Sequence, residues 1–286
     1  MPTLQNDQLA ITVDPKGAEL SSVKDLQTGT EYMWVAKPDI WGRHAPVLFP
    51  IVGKLKDNQH TYEGRSYPMG QHGFARDLDF QMAGQSSTHL HFRLGSNEET
   101  QSRYPFVFTF RIRYDLNGRT VRVSYYIKNN GEEMMPFSVG AHPGFNCPLS
   151  PEEKLTDYEI LFEQPETAPR HLLEGGLFSG KTQAYLTEST GFPITEDTFN
   201  EDALVFHQLA SAWVALKSAK HEIRMSLTGF PYLGIWAKPG APFVCLEPWQ
   251  GLADYVDSSG QLMDKKGIIL LKPGRIHQAG YTVEFN

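Results

Sequence analysis

The chain has 286 residues, of which 40% are hydrophobic and 12% aromatic, and its formal net charge is −7. This composition predicts a folded protein with a sizeable core and excludes an intrinsically disordered chain. The negative charge argues against a protein that holds nucleic acid through a basic surface, although it leaves room for a few cations around one small ligand.

The N-terminal residues, the lack of long apolar stretches and the two cysteines together predict the cellular compartment. Residues 1–7 lack the basic and apolar regions of a signal peptide, and no apolar stretch approaches the ~20 residues that cross a bilayer. Two cysteines, Cys147 and Cys245, are too few for a disulfide framework and lack the spacing of a zinc site. We therefore expect a soluble cytoplasmic protein with no membrane partner, in which both cysteines pack as small hydrophobic side chains.

Alternation of hydrophobic and polar residues, which is typical of strands with one buried face, dominates the chain. The predicted strands lie at residues 9–13, 78–82, 89–94, 106–114, 121–128, 213–217, 222–227, 233–236, 243–246, 268–271 and 281–285. Gly, Pro, Asn and Asp clusters separate them, and no helix longer than a turn or two is predicted.

A hairpin at residues 106–128 is the best-defined of these elements. Phe108, Phe110 and Ile112 alternate with polar residues, and a matching alternation resumes at Val121. Between the two runs, Asn117-Gly118 predicts a tight type I′ turn, because both central positions of that turn need positive φ.

Residues 150–200 are the least regular part of the sequence. They contain four prolines and several acidic residues, and we expect an elaborated loop region with some strands. No change of composition there marks a domain boundary, so the chain is predicted to be a single domain over residues 1–286. Many short strands with frequent turns predict an all-β fold, an antiparallel sandwich or barrel.

Three polar segments with chemically active residues interrupt the strands, at residues 71–76, 140–146 and 245–249. They place His72, Arg76, His142 and Glu247 next to Gly or Pro, and loops on a rigid sheet are where active sites are commonly built. An imidazole can exchange a proton near neutral pH, and a carboxylate that ends a buried strand becomes a better base through desolvation. Trp249 offers an aromatic face that suits the apolar face of a sugar.

Each of these residues also has a purely structural interpretation. His142 alone fits a histidine that bonds a turn, Glu247 fits a strand-end carboxylate in solvent, and Trp249 fits core packing. For Arg76 alone, a surface ion pair with Asp77 or Asp79 is the favoured interpretation.

Lys54 and two further histidines complete the candidates. Lys54 follows the apolar residues 47–52, so it could be a charged side chain placed at the end of a strand, although a solvated loop lysine fits as well. His89 and His91 share one face of a predicted strand, a spacing that can bind zinc, but the sequence places no third ligand. We therefore predict no metal. Nucleotide-binding and serine-hydrolase motifs are absent.

In combination and order, the three polar segments together with Trp41-Gly42 and residues 48–51 resemble the aldose 1-epimerase (mutarotase) superfamily. The resemblance spans nearly the whole chain and is strongest to the LacX-like and hexose-6-phosphate epimerase-like branches. It implies a large antiparallel β-sandwich and an isomerase that needs no cofactor.

The resemblance also implies roles for individual residues. Glu247 would take the proton of the anomeric hydroxyl and His142 would protonate the ring oxygen, so that the pyranose opens to the aldehyde and recloses as the other anomer. His72 and Asp202 match residues that bind sugar hydroxyls. Lys54 stands where galactose mutarotases usually carry arginine, which puts that sugar contact in doubt.

The same resemblance bounds the ligand. Arg76 is shared with the branch that acts on hexose phosphates, so the expected partner is a hexose or a hexose 6-phosphate, bound by a monomer or homodimer. The competing hypothesis is a noncatalytic carbohydrate-binding or sensing protein on the same fold. The presence of both His142 and Glu247 favours the enzyme.

Overall fold

The computed structural model describes residues 1–286, and nearly all of its regular structure is β-strand. One short helix, α1 (Glu98–Gln101), and four 3-10 turns (Lys56–Asn58, Ala75–Asp77, Leu155–Asp157 and Leu262–Asp264) are the exceptions. None of these helices has the length and apolar character needed to cross a bilayer. The strands are β1 (Thr3–Gln5), β2 (Leu9–Asp14), β3 (Glu19–Asp25), β4 (Val47–Leu48), β5 (Gln59–Tyr62), β6 (Arg65–Pro68), β7 (Gln81–Gln85), β8 (His89–Gly95), β9 (Phe108–Asn117), β10 (Thr120–Asn129), β11 (Met135–Phe137), β12 (Val139–Ala141), β13 (Gly144–Asn146), β14 (Glu159–Glu174), β15 (Leu177–Pro193), β16 (Leu204–His207), β17 (Trp213–Lys217), β18 (Glu222–Ser226), β19 (Tyr232–Trp236), β20 (Phe243–Gln250), β21 (Ile269–Leu271) and β22 (Ile276–Phe285).

Two large antiparallel sheets dominate the architecture. The first has nine strands in the order β15-β14-β17-β18-β22-β10-β9-β8-β7, and the second has the order β16-β19-β20-β12-β4 with β13 also paired to β20. A three-stranded sheet, β1-β2-β3, and the pairs β5-β6 and β11-β21 complete the fold. The predicted all-β class and the large antiparallel β-sandwich are confirmed.

Aromatic side chains fill the space between the two large sheets. Phe49, which directly follows β4, lies 5.1 Å from Phe108 and 4.8 Å from Phe110 between ring centroids, and 6.0 Å from Phe137. All four rings are buried. Burying an aromatic side chain of this size stabilises the fold by about 2–3 kcal/mol. The cluster therefore helps to hold the two sheets in a fixed relative position.

The predicted hairpin is confirmed in its strands, since β9 pairs with β10, and Asn117 lies opposite Thr120. The type I′ turn is wrong. Gly118 and Arg119 occupy the central positions, and only Gly118 has positive φ (55°). This is the pattern of a type II′ turn, which needs glycine at its first central position alone.

The loop region expected at residues 150–200 is instead a hairpin of the two longest strands, β14 and β15, with 16 and 17 residues. Its register shifts several times. Burial alternates along β14, but Glu166 and Arg170 occupy two of its buried positions, and a long stretch of β15 is exposed on both faces, so hydrophobic alternation is weak. The tip at Gly175 and Gly176 lies against the loops that follow β4 and β20. There, the Phe178 N–H donates to the Asp254 carbonyl at 2.8 Å.

Most other predicted strands overlap the observed ones. The strand expected at residues 78–82 begins only at Gln81, because Ala75–Asp77 forms a 3-10 turn and the chain needs several residues to leave it.

Candidate active site

A break in the second sheet brings two of the predicted residues together. β20 pairs with β13 as far as Cys245 and with β12 from Trp249 onward. Between these ladders, His142 lies opposite Glu247 and Ala141 lies opposite Pro248 without ladder pairing, and the Leu246 N–H donates to the Pro143 carbonyl at 3.3 Å. Proline has no N–H to donate, so two prolines on facing segments keep the ladder open here.

The expectation that Glu247 ends its strand is therefore wrong. β20 continues to Gln250, and on its other side Glu247 pairs with Gly234 of β19. The carboxylate is held by a continuous strand and faces a gap on one side only. A side chain in this position has less freedom than one at a frayed strand end.

His142 and Glu247 are the buried pair at the centre of the site. Their exposed fractions are 8% and 2%, and Nε2 of His142 lies 3.2 Å from Oε2 of Glu247. The two groups are not aligned for a hydrogen bond, and Oε2 has no other partner in the protein. Because buried polar atoms are normally hydrogen-bonded, this oxygen is placed for a ligand.

Aromatic rings fix the orientation of the His142 imidazole. Trp41 stacks on it with centroids 5.0 Å apart, and Trp236 meets it edge-on at 5.7 Å. His72 lies at right angles to it, 5.5 Å away. The ring is confined on several sides, so its nitrogens have defined directions.

Burial shifts the pKa values of the central pair in opposite directions. Desolvation, with a smaller effect of Arg76 and Arg43, lowers the pKa of His142 to about 3. Desolvation and the negative charge of Asp202 raise the pKa of Glu247 well above its ordinary value. Both shifts favour the uncharged form of each group, so the carboxyl tends to keep a proton that the neutral imidazole can accept.

The tautomer of His72 follows from its backbone contacts. The Gly53 N–H donates to Nδ1 of His72 at 3.0 Å, so Nδ1 is an acceptor and the neutral ring carries its proton on Nε2. Burial and the nearby His142, Arg76 and Arg43 hold the pKa of His72 well below its ordinary value. His72 is a neutral donor at this site.

Trp249 lies flat against two glycines. A Cβ at Gly140 would come within 2.8 Å of its Cδ1, and one at Gly234 within 2.6 Å of its Cη2. Gly140 belongs to β12 and forms no turn; because it has no side chain, it leaves room for the indole ring. Trp249 packs in the second sheet and also lines the cavity beside Glu247, so its structural and functional interpretations both apply.

These residues line one cavity of about 280 Å³. Its size is near the lower end of ligand pockets, ~300 Å³, which suits a monosaccharide rather than a longer chain. The hairpin tip contributes Leu173, Gly176 and Phe178 to one side, and Asp202 lies beside them.

Arg76 brings a positive charge to the cavity. It donates to the Gln71 carbonyl at 2.7 Å, while its Nε is buried without a partner. Burial and the neighbouring Arg43 lower its pKa to about 10, so it remains charged at neutral pH. The ion pair with Asp77 or Asp79 is not formed, because Asp77 pairs with Arg43 at 2.8 Å.

The structure brings every predicted site residue except Lys54 to this cavity. Asp202 is exposed, and its Oδ1 accepts from the Ala203 N–H at 2.7 Å. Lys54 does not line the cavity. Its ammonium donates to the Gly175 carbonyl at 3.0 Å and so holds the hairpin tip.

Several cavity residues were not predicted from the sequence. Trp41, Gln71, Trp236 and Phe178 all line the cavity. Trp41 and Gln71 lay within the recognised motifs and could have been proposed. Nothing in the sequence around Trp236 or Phe178 indicates such a position.

Cys245 was expected only to pack as a small hydrophobic side chain, yet it lies beside His142 and Glu247. Ligand atoms of His142, Cys245 and Glu247 all lie within 4.8 Å of one another, a set that could hold a metal ion. Burial and the Glu247 charge raise the pKa of the Cys245 thiol well above its ordinary value. Since metals bind the thiolate, the folded protein presents a poor sulfur ligand.

A sequence model of the family described as Aldose 1-epimerase matches residues 2–284. The chain belongs to the aldose 1-epimerase family. Protein LacX (plasmid) of Lactococcus lactis subsp. lactis is 32% identical over 292 aligned positions, covering 98% of this chain and 97% of LacX. The LacX-like branch of the family is thereby shown.

Two solved structures share both the family and the fold. A galactose mutarotase related enzyme from Lactobacillus acidophilus is 37% identical, with a TM-score of 0.96 over 100% of this chain and 97% of that one. A galactose mutarotase-like protein from Lactobacillus casei is 31% identical, with a TM-score of 0.93 over 100% of both chains. The general function within this family is that of an epimerase or mutarotase.

Proposed function

We propose that this protein is a cofactor-independent aldose 1-epimerase of the cytoplasm that interconverts the α and β anomers of a hexose or a hexose 6-phosphate. The observation that carries the proposal is the buried pair of His142 and Glu247, 3.2 Å apart in one cavity. Their pKa values are shifted in opposite directions, as an acid and a base that exchange roles require.

The reaction begins with proton transfer at the anomeric centre. Glu247 accepts the proton of the sugar O1 hydroxyl while His142 Nε2 donates a proton to the ring oxygen, and the C1–O5 bond breaks to leave the open aldehyde. The single proton of the pair moves from carboxyl to imidazole as the sugar hydroxyl approaches Glu247. Rotation about C1–C2 and reclosure, with the roles of the two groups reversed, give the other anomer.

The remaining residues of the cavity bind and orient the sugar. His72 donates from Nε2 to a hydroxyl, Asp202 accepts from hydroxyls at the exposed side, and the Trp249 ring packs against apolar C–H groups. Trp41 and Trp236 keep the His142 ring in place. Positioning of this kind lowers the barrier because the reacting groups need no further ordering.

The charge of the cavity supports a hexose or a hexose 6-phosphate as the substrate. Arg76 lines the cavity, keeps its charge at neutral pH and has no acidic partner. Arginine presents several donors that suit either sugar hydroxyls or phosphate oxygens. The names of the two structural relatives, a galactose mutarotase related enzyme and a galactose mutarotase-like protein, support a hexose.

The experiment that tests the proposal measures anomer exchange directly. Saturation-transfer NMR gives the α to β exchange rates of glucose, galactose and their 6-phosphates, with wild type, with Glu247→Gln and without protein. We expect acceleration of at least one sugar by wild type and none by Glu247→Gln, because an amide cannot take the O1 proton.

The same experiment separates the enzyme from its competitor. Saturable sugar binding without acceleration by wild type would support the noncatalytic carbohydrate-binding protein. Full acceleration by Glu247→Gln would contradict the assigned mechanism and leave the family unaffected.

A further inference from the structure

A second depression, of about 440 Å³, lies on the outer face of the nine-stranded sheet and shares no residue with the active-site cavity. It forms where β8, β9 and β10 run side by side. Side chains alternate between the faces of a strand, so Phe92, Ile112 and Tyr125 are buried while their neighbours face outward. We call this depression the basic groove; its chief lining residues are His91, Arg93, Arg111, Arg113, Tyr126 and Lys128.

The charge of the basic groove is opposite to that of the protein. None of its lining residues is acidic, although the chain as a whole carries −7. Arg113 pairs with Asp115 at 2.6 Å, whereas Arg93, Arg111 and Lys128 form no ion pair. Three uncompensated cations on one rigid face produce a local positive potential that attracts anions.

The strand register places like charges side by side, which destabilises the sheet when no anion is bound. Arg93 lies directly opposite Arg111 on the neighbouring strand, and like charges in that position destabilise a sheet. Burial and the charges of Arg111 and Arg113 lower the pKa of His91, which also indicates a positive field. A bound anion between the arginines would turn this repulsion into two charge-assisted contacts.

We propose that the basic groove binds a small anion that carries two or more phosphoryl groups. Neighbouring strands lie ~4.8 Å apart, so cations from β8, β9 and β10 extend over about 10 Å, which is longer than one phosphate. The guanidinium groups match phosphate oxygens in geometry, and the Tyr126 hydroxyl adds a neutral donor. The same field opposes a metal ion at His89 and His91, the zinc site that their spacing alone would allow.

Binding is measured by isothermal titration with pyrophosphate, tripolyphosphate and a nucleoside triphosphate, with monophosphate for comparison. We expect one site per chain, weaker at high salt because exposed charges are screened. In Arg93→Ala/Arg111→Ala the affinity should fall by about tenfold or more, since two charge-assisted contacts are lost. Equal affinity for tripolyphosphate and the nucleoside triphosphate identifies the phosphate chain as the recognised element; tighter binding of the nucleotide adds a base or sugar contact.

Matched variants locate the bound anion. Arg122→Ala removes an exposed cation of β10 that lies outside the groove and should change the affinity by less than twofold. Arg76→Ala should also leave the anion affinity unchanged, because Arg76 lines the active-site cavity and not the basic groove. No binding by wild type, or undiminished binding by a folded Arg93→Ala/Arg111→Ala, would overturn the proposal; loss of binding in Arg76→Ala alone would move the anion to the cavity.

Discussion

The floor and the wall of the active-site cavity differ in how firmly they are held. The floor consists of His72, His142, Glu247 and Trp249, all buried and set on or beside strands of the sandwich. The wall consists of the hairpin tip between β14 and β15 together with Asp202, which is exposed. The hairpin is attached to the loops that follow β4 and β20 by a few hydrogen bonds, among them that of Lys54.

This difference assigns proton transfer to the floor and substrate entry to the wall. Proton transfer tolerates little displacement of its donors and acceptors, and the floor is embedded in packed strands that resist movement. Substrate entry and selection need a part that can yield, and regions with few buried contacts open at lower free energy. We expect changes to the floor to act on kcat and changes to the wall to act mainly on KM.

The largest expected effect comes from the floor. His142→Gln removes the group that donates to the ring oxygen, so kcat should fall by about 10²–10⁴-fold while the melting temperature changes little. Anomer exchange by NMR measures the rate. His89→Gln, which changes a histidine on the outer sheet face, should leave kcat intact; equal rates for the two variants would show that His142 is not catalytic.

Asp202→Asn tests how the wall acts on the floor. The Asp202 charge contributes to the raised pKa of Glu247, so its removal should lower that pKa. Activity that needs the shared proton is lost as the pH rises through the pKa of Glu247, and the alkaline limb of kcat should therefore move to lower pH. KM should rise as well, because a sugar contact is lost. An unmoved alkaline limb would contradict the electrostatic link.

Lys54→Met tests the attachment of the wall. Loss of the bond to Gly175 costs about 1 kcal/mol, and KM should rise about fivefold with kcat nearly unchanged. The matched control is Lys181→Met, since Lys181 lies on the same hairpin but forms only an exposed pair with Glu174. A fall in kcat without a change in KM would show that Lys54 supports the floor instead.

The smallest effect concerns the support behind the wall. His207 stacks on His171 with centroids 3.4 Å apart and lies beside Phe178 and Tyr232. Burial and the His171 charge lower the pKa of His207 to about 4. Between that value and the unfolded value near 6.5 the unfolded chain binds more protons, so stability is full above pH 6.5 and declines as the pH falls toward 4.

Replacing His207 removes this part of the pH dependence. His207→Gln should lose less stability than wild type between pH 7 and pH 5, a difference of about 2–4 °C in Tm. Thermal melts at both pH values measure it. An identical pH dependence in wild type and variant would contradict the lowered pKa of His207 in the folded protein.

The sequence predicted those parts of the fold in which one face of a strand is buried. The β9–β10 hairpin alternates regularly and was predicted in both strands, although its turn lies one residue later than predicted. The β14–β15 hairpin was predicted only as a loop region with some strands, because Glu166 and Arg170 occupy two buried positions of β14 and a long stretch of β15 is exposed on both faces. A single domain over residues 1–286 stays a prediction.

The site was predictable where chemistry is local and unpredictable where it depends on contacts between distant segments. His142 and Glu247 stood out as polar residues beside proline, and the resemblance named their roles. Pro248 indicated a strand end, yet β20 continues past it because Leu233 of β19 pairs with Pro248 on the other side. The place of Lys54 depends on a hairpin tip 121 positions away, which no local pattern specifies.

The aromatic lining of the cavity gives the protein an optical reporter of its own. Three of its five tryptophans, Trp41, Trp236 and Trp249, line the cavity, and two of them contact the His142 ring. Indole fluorescence responds to nearby polar groups and to exclusion of water. Intrinsic emission of the unlabelled protein therefore reports mainly on this cavity, and a sugar that enters it should change both the intensity and the wavelength of the signal.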